Sequence, residues 1–567
     1  MVAAIAFLVG GWAMAKEKKT ASDPRIGNLS KVRREQLMDK VSQVRSYLLE
    51  ASAHDKNAAR LLSFVAELEK EVRSKKYGLI FEEHKERVDV ELEENIPVLK
   101  ENRKRFIDNG GEMNFLIEGD NLAALKLLEK THRGKIDLIY IDPPYNTGNK
   151  DFIYNDSFVD KTDGYRHSKW LSFMEKRLKL AKSLLSSKGV IFISIDDNEQ
   201  ANLKLLCDAI FGDRNFIANL IWKSKSGGGS DVSQIATDHE YILVYAKQVV
   251  SAHIGNDLEA VVTTVYNKED DKGRYSLDRL DKQSLGYQKS LDFPIVGPDG
   301  KTYVVHHKDS KNKKARWRWG EDTVKARYDE LVFIYPYVYT KNYEKHDGQK
   351  PRSVLFEERF GRTRTGSTDL KKVLGNQQIF TYPKPVSLIK YLAQIGAVDD
   401  STVLDFFAGS GTTGHAVMKL NAEDGGKRKF ILVTNNENGI CEKVTYERLK
   451  RVIAKEKYAA RLKYLKVDYV PITEEGYWER AEELLKYIRE LVELENGIDF
   501  AHDKSVAIVL TDKEAELLLK NEKRLSACKT LYRGHNVMFA AKMNSVLSEH
   551  GISVKTIPDY YYPELED

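Results

Sequence analysis

The chain is poor in cysteine, with only Cys207, Cys441 and Cys528 among 567 residues. They lie too far apart in sequence to outline a metal-ligand spacing or a disulfide framework. No metal site is expected, and the composition fits a reducing cytosol. A membrane-spanning run is also missing: the apolar stretch Ala3 to Ala15 is shorter than the roughly 20 residues a bilayer requires. Its basic flank, Lys16, Lys18 and Lys19, follows the run, whereas a signal peptide carries such residues before it. Residues 1–29 therefore read as a non-essential extension, with translation assigned upstream of Met14, and no membrane role is expected. Charge of one sign is scarce as well. Ninety Lys and Arg stand against 85 Asp and Glu, a net of +5, too little to argue for nucleic acid by itself. Helicase and nuclease motifs are absent, so this chain alone should not cut DNA. A hydrophobic content of 42% excludes wholesale disorder.

What is present starts with Asp142-Pro143-Pro144-Tyr145, directly after the apolar run Ile136 to Ile141. That run reads as a buried strand of a parallel sheet. Two prolines cannot continue it, because each lacks an N–H and fixes its own φ. The chain must turn at the carboxyl end of the strand, where open α/β sheets bind ligands. An acid, an acceptor-only carbonyl and an aromatic ring are thereby delivered together. They suit an exocyclic amino group on a flat base: the oxygens accept its N–H bonds and the ring stacks on its face.

A second motif has the order strand, glycine-rich turn, helix. Thr402-Val403-Leu404 leads through Asp405, Phe407, Ala408, Gly409, Ser410 and Gly411 into Thr412 and Thr413. No Gly-Lys-Ser/Thr follows, so it is not a phosphate loop, and the glycine spacing is not that of the dinucleotide fingerprint. Glycine at 409 and 411 lets the backbone approach a nucleotide-like ligand closely.

Together the two motifs resemble the amino-group DNA methyltransferases that use S-adenosyl-L-methionine. The catalytic motif precedes the cofactor motif, the order of their beta class. From about residue 75 to the end, further segments look like the modification subunits of Type III restriction-modification systems: Tyr77 to His84, Gly119-Asp120-Asn121-Leu122, Trp317-Arg318-Trp319, Tyr382-Pro383-Lys384-Pro385 and Tyr560 to Glu564. The resemblance implies methyl transfer to N6 of adenine in double-stranded DNA, with the base extruded from the helix. It also implies a homodimer, a restriction subunit as partner and a cytoplasmic location. Cytosine-N4 members more often carry Ser where Asp142 stands. A methyltransferase acting on RNA or protein, and a module that only positions a nuclease, remain competing classes.

The expected fold is α/β: a doubly wound, mostly parallel, Rossmann-like sheet with an inserted target-recognition domain and a C-terminal α/β domain. The expected divisions are an extension (1–29), a helical N-terminal region (30–111), a first catalytic part (112–224), the recognition insertion (225–375), a second catalytic part (376–460) and a C-terminal dimerisation or partner domain (461–567). A charged helix is expected over Glu474 to Leu494. Inside the insertion, Lys301 to Gly320 holds seven Lys or Arg against one Asp. Lys308, Lys311, Lys313, Lys314, Arg316 and Arg318, interleaved with Trp317 and Trp319, are the candidate DNA contacts, by phosphate pairing and stacking.

In this scheme Asp142 and the Pro143 carbonyl hold the amino group, Pro144 shapes the turn and Tyr145 stacks on the base. The resemblance places Phe407 to Thr413 around the methionine part of the cofactor, with Asp405 at the strand end. Lys384 and Pro385 line the same pocket, and Asp120 contacts the adenine end. Many relatives bind the ribose through an acid after the next strand. Here Thr434-Asn435-Asn436-Glu437 follows, and Asn435 is taken for that place, with Asn436 and Glu437 open.

Overall fold

In the computed structural model, residues 29–557 are described, apart from 53–55, 74–78, 150, 155–156, 228–233, 261–263, 310, 345–347, 376–379 and 473–482. Residues 1–28 of the expected N-terminal extension, Tyr77-Gly78 and the tail from Tyr560 to Glu564 lie outside the described residues.

The chain divides into two units, residues 1–80 and 81–567. In the first, α1 (Leu29–Ser52) and α2 (Lys56–Arg73) pack as a pair, with Val65 buried and Arg45 bonded to Glu69 at 3.3 Å.

The second unit is built on one large mixed sheet. Its strands are β1 (Asn95–Glu101), β2 (Glu112–Glu118), β3 (Ile136–Ile141), β4 (Leu185–Ile195), β5 (Phe216–Lys223), β6 (His239–Ala246), β7 (Val354–Leu355), β8 (Thr402–Asp405), β9 (Lys429–Thr434) and β10 (Ala460–Pro471). Their spatial order is β1-β10-β2-β9-β8-β3-β4-β6-β5-β7, parallel from β10 to β4, with antiparallel strands entering at both flanks. The central strands are apolar on both faces, as a sheet covered by helices demands. Leu138, Tyr140, Val403 and Leu432 share one core with Leu388 and Leu392 of α6 (Val386–Gly396). On α4 (Arg166–Leu184), Trp170, Leu171, Met174, Leu178 and Ala181 are buried at helical spacing.

β8 lies between β3 and β9, bonded in parallel to both. From β8 the chain winds outward through β9, while from β3 it winds the other way through β4. This is the topological switch point, where such sheets open a crevice at the carboxyl ends of their strands. The Asp142–Tyr145 tetrapeptide follows β3 and the glycine turn follows β8, so both motifs open into that crevice.

The expected divisions need correction at four edges. β1, inside the expected helical region, pairs antiparallel with β10. β6 and β7, inside the expected insertion, pair with β4 or β5 of the large sheet. The helix Thr363–Leu374, also inside it, lies outside the insertion's own core. β10 begins where the second catalytic part was expected to end. Flanking strands join by register with distant partners, which local hydrophobic pattern does not encode. What folds as a separate insertion is a four-stranded sheet centred on Gly273–Arg279 and Tyr337–Tyr343, with its own core of Leu280, Tyr303, Trp317, Leu331 and Val338.

After β10, the expected helix over Glu474 to Leu494 is described only in part, and it breaks at Lys486-Tyr487 before Ile488–Asn496. A small parallel sheet of Val506–Val509, Thr530–Arg533 and Ser553–Thr556 then closes over a separate core.

Candidate active site

The tetrapeptide leaves β3 and is fixed at once by neighbours. The Trp170 indole N–H donates to the Pro144 carbonyl at 2.7 Å, which commits that oxygen and pins the turn to α4. The next residue, Asn146, is buried at φ +57.

The Asp142 carboxylate is engaged by a residue from the other half of the site. Lys384 Nζ donates to both its oxygens, at 2.8 and 2.9 Å, and to the Tyr145 hydroxyl at 2.8 Å. The Tyr145 hydroxyl in turn donates to Glu240 of β6 at 3.0 Å, and Glu240 lies 3.4 Å from the ammonium. Lys384 is only 9% exposed. Burial opposes its charge, but the Asp142 and Glu240 carboxylates outweigh that and hold its pKa above the ordinary lysine value. Burial pushes the Tyr145 hydroxyl well up, and both carboxylates add to the effect.

On the β8 side the glycine turn is tight. Gly409 and Gly411 stand at φ +48 and +75, and Gly411 caps α7 (Thr412–Asp424). A Cβ on Gly409 would lie 3.1 Å from the Phe380 ring. Ser410, Thr412 and Thr413 are buried, with their hydroxyls spent inside the protein. Arg448 donates to the Ser410 and Thr412 hydroxyls at 3.0 and 2.8 Å. The Thr413 hydroxyl donates to Asp405, which also accepts from the Phe407 N–H at 2.9 Å. Burial pushes the Asp405 carboxyl up to about 7, against the pull of those two hydrogen bonds. The Thr412 hydroxyl donates to the Lys384 carbonyl at 3.3 Å, so the glycine turn also braces the lysine segment.

A cavity of about 360 Å³ lies between these motifs, and Pro144, Phe406, Phe407, Asp120 and Asn435 are in its wall. Its volume falls in the range of about 300–1,000 Å³ usual for ligand pockets. Asp120 caps α3 (Asn121–His132) through the N–H groups of Leu122 and Ala123, and lies 3.6 Å from Arg177. Asn435 and Glu437 face the cavity. Asn436 turns away, to Glu118 and the Glu442 N–H. Pro385, Ala408 and the glycines stand behind the wall. Lys384 was expected in the cofactor set, but its ammonium is directed to Asp142.

Three features escaped the sequence. Glu86 and Glu91 complete the acidic side of the cavity, but they precede the first recognisable strand and carry no pattern. Arg177 is fully buried, donating to Glu86 at 2.9 Å and lying over the Phe173 ring at 3.6 Å. A charged residue on the apolar stripe of α4 was its legible signal. Glu240 comes from β6, an antiparallel strand between β4 and β5, and had none.

The basic stretch divides in two. Lys308, Lys311, Lys313 and Lys314 are exposed, although Lys313 is paired with Asp292 at 2.6 Å. Trp317 is not a surface residue as expected. It is 1% exposed, in the insertion's core, with its indole N–H on the Phe293 carbonyl at 2.7 Å. Arg318 is held by Asp278 and the Arg279 carbonyl, Arg316 by Gln288, and Trp319 packs under Arg327. These four organise the end of the loop that carries the lysines, between the separately paired strands Thr302–Tyr303 and Arg316–Trp317. Among the described residues no cluster of His, Cys, Asp and Glu could hold a metal ion, and no helix is long and apolar enough to cross a membrane.

A doubly wound sheet with a carboxylate–tyrosine turn and a glycine turn at its switch point defines the class of amino-group methyltransferases. The chain belongs to the DNA methylase family whose model matches residues 136–446. It is 38% identical over 338 residues to the Type II methyltransferase M.KpnI of Klebsiella pneumoniae, covering 56% of this chain and 79% of that one. It is 35% identical over 383 residues to the Mod subunit of the Type III restriction-modification enzyme EcoPI of Escherichia phage P1, and spans 58% of that subunit's length. The solved structure of the PvuII DNA methyltransferase (cytosine-N4-specific) is 11% identical and covers 63% of this chain and 96% of its own, at a TM-score of 0.32.

Proposed function

We propose that the protein is a site-specific DNA methyltransferase that moves a methyl group from S-adenosyl-L-methionine to N6 of adenine in double-stranded DNA. The observation that carries this is the convergence of Asp142 and Tyr145 with a cavity walled by Pro144 and Phe407 at the switch point of the sheet. The cavity fits the cofactor in chemistry as well as volume. Phe406, Phe407 and Phe173 offer apolar surface, and Glu86, Glu91, Asp120, Asn435 and Glu437 offer acceptors for hydroxyl and amino groups. Bound there, S-adenosyl-L-methionine supplies an electrophilic methyl group on a sulfonium.

The protein's part is positioning and charge. The adenine amino nitrogen is a weak nucleophile because its lone pair is delocalised into the ring. Asp142, with the Pro143 carbonyl, accepts its N–H bonds, favours a more tetrahedral nitrogen and stabilises the positive charge that grows on it. Tyr145 stacks on the base, which must leave the duplex to arrive. The exposed lysines of the insertion track the phosphate backbone. The likeness to a Mod subunit supports the further reading that this chain is the modification and recognition subunit of a Type III system. In that reading it acts in the cytoplasm as a homodimer and with a restriction subunit.

The test is to incubate the purified chain with methyl-labelled cofactor and unmethylated DNA, then digest the product to nucleosides for mass spectrometry. N6-methyladenine is expected, and N4-methylcytosine would reject the base assignment. Asp142→Ala should abolish transfer while cofactor affinity stays within about threefold, no more than the net worth of one weak hydrogen bond.

A further inference from the structure

We infer that Lys384 is a placeholder for the substrate's amino group, held by Asp142 when no base is present and handed to Glu240 when one enters. The inference rests on the proposed role of Asp142 as the amino-group acceptor.

The geometry makes the conflict plain. The ammonium bonds to both Asp142 oxygens and lies 4.9 Å from the centre of the Tyr145 ring. It thus satisfies the acceptor, beside the aromatic face, that the base needs. An N–H donor on the carboxylate is what the substrate brings. A cation left there would also repel the positive charge growing on the amino nitrogen, in a site where burial weakens screening. The ammonium therefore has to leave Asp142 before transfer. It cannot leave for nothing, because an unpaired buried ammonium is costly. Glu240 is the acceptor at hand, 3.4 Å from Nζ and bonded to the Tyr145 hydroxyl that Lys384 also touches. A short swing of a flexible four-carbon stem moves the charge from one carboxylate to the other.

Between visits the arrangement protects the site. Without the lysine, Asp142 and Glu240 would face one another across the Tyr145 hydroxyl with no counter-charge. Lys384 is thus a positioning residue acting through Asp142, and Glu240 is its resting partner during the reaction.

A double-mutant cycle tests this on bulk unmethylated DNA, with label transfer as the rate and calorimetry as the measure of cofactor affinity. Glu240→Gln removes the resting partner and leaves the lysine on Asp142. Its kcat should fall about tenfold or more, a loss typical of a coupled charge pair, with cofactor affinity unchanged. Adding Lys384→Met to Glu240→Gln should restore kcat to near that of Lys384→Met alone, since no cation remains to be moved. A purely structural role predicts the reverse, a double variant at least as impaired as Glu240→Gln. That result would overturn the inference, as would an unimpaired Glu240→Gln. Should Glu240→Gln fail to fold, Lys384→Arg carries the test. Its planar fork grips a carboxylate bidentately and should lower kcat while cofactor binding is kept, so an undiminished kcat would count against the placeholder. If wild type transfers nothing to DNA, or Asp142→Ala still transfers, the proposed function fails and the inference falls with it. If both controls behave and only the rescue is missing, the inference fails alone.

Discussion

The Asn146 side-chain amide donates to the Glu199 carboxylate at 2.5 Å, tying the residue after the Asp142–Tyr145 tetrapeptide to the start of α5 (Gln200–Phe211). Both residues are buried, and Glu199 also engages Asn202 at 2.8 Å and His167 at 2.6 Å. The bond holds Asn146 at φ +57, where asparagine is tolerated and most side chains are not. Asn146→Ala loses the bond, at about 1–3 kcal/mol, and gains left-handed strain of about 1–2 kcal/mol. Asn146→Gly loses the bond without the strain. Urea unfolding should therefore rank wild type above Gly above Ala. Equal midpoints for Gly and Ala would mean that the backbone conformation stores no strain there.

Asp405 should make stability depend on pH. Its carboxyl is buried and titrates at about 7 in the folded protein, above the ordinary carboxylate range that applies when unfolded. The folded state then holds a proton the unfolded state has lost. The contribution is whole below about pH 4 and declines as pH rises to about 7, by on the order of a few kcal/mol. Asp405→Asn cannot titrate. Its stability relative to wild type should rise between pH 4 and 7 and level off above that, as read from unfolding midpoints at each pH. A constant difference would place the Asp405 titration outside this window.

Much of this site was legible because the two motifs that build it are local. Each is a strand and its turn, and prolines or glycines announce a turn whatever surrounds it. The pairing of β3 with β8 follows once both strands are parallel and each is followed by a turn. The contacts between motifs were not legible. Lys384 and Asp142 lie 242 positions apart, and nothing in Tyr382-Pro383-Lys384-Pro385 says which wall of the crevice the ammonium meets. The strands β6 and β10 were assigned to neighbouring domains for the same reason, since pairing register is decided by distant partners. Trp317 failed differently. Alternating Arg and Trp is the pattern of a half-buried strand as well as of a stacking surface, and only the insertion's core decides between them.

The glycine turn sets a third expectation. Gly409→Ala puts a side chain at φ +48, 3.1 Å from Phe380, and should displace the Phe407 backbone that walls the cavity. The strain costs about 1–2 kcal/mol of stability, and the displaced wall should make S-adenosyl-L-methionine bind about tenfold more weakly or worse, as read by calorimetric titration. Gly425→Ala is the control. It shares a positive φ, but nothing lies within 4 Å of its Cβ, so it should lose stability and keep cofactor affinity. Equal cofactor affinity in the two variants would remove the turn from the binding site.

The insertion provides the sharpest separation of architecture from DNA binding. Trp317 fills the insertion's core, and Trp317→Ala should cost about 3–5 kcal/mol of the insertion's stability, as truncation of a buried aromatic does. Any loss of DNA binding should then follow unfolding of the insertion and disappear at low temperature. Lys308, Lys311 and Lys314 are exposed on the loop before Trp317 and lie outside the insertion's core. Neutralising all three should leave the melting curve in place and weaken binding to every DNA sequence alike. The slope of log affinity against log salt should fall by about 0.9 for each phosphate that is no longer neutralised. Lys313 belongs to neither group, because Asp292 already holds its charge, and its neutralisation should change the slope less than that of any other lysine in the stretch. Base choice should survive in the triple variant, since pairing with phosphates positions a protein without reading sequence. If the triple variant keeps both wild-type affinity and wild-type salt slope, the lysine loop is a solvated rim, and the DNA path runs over another face of the insertion.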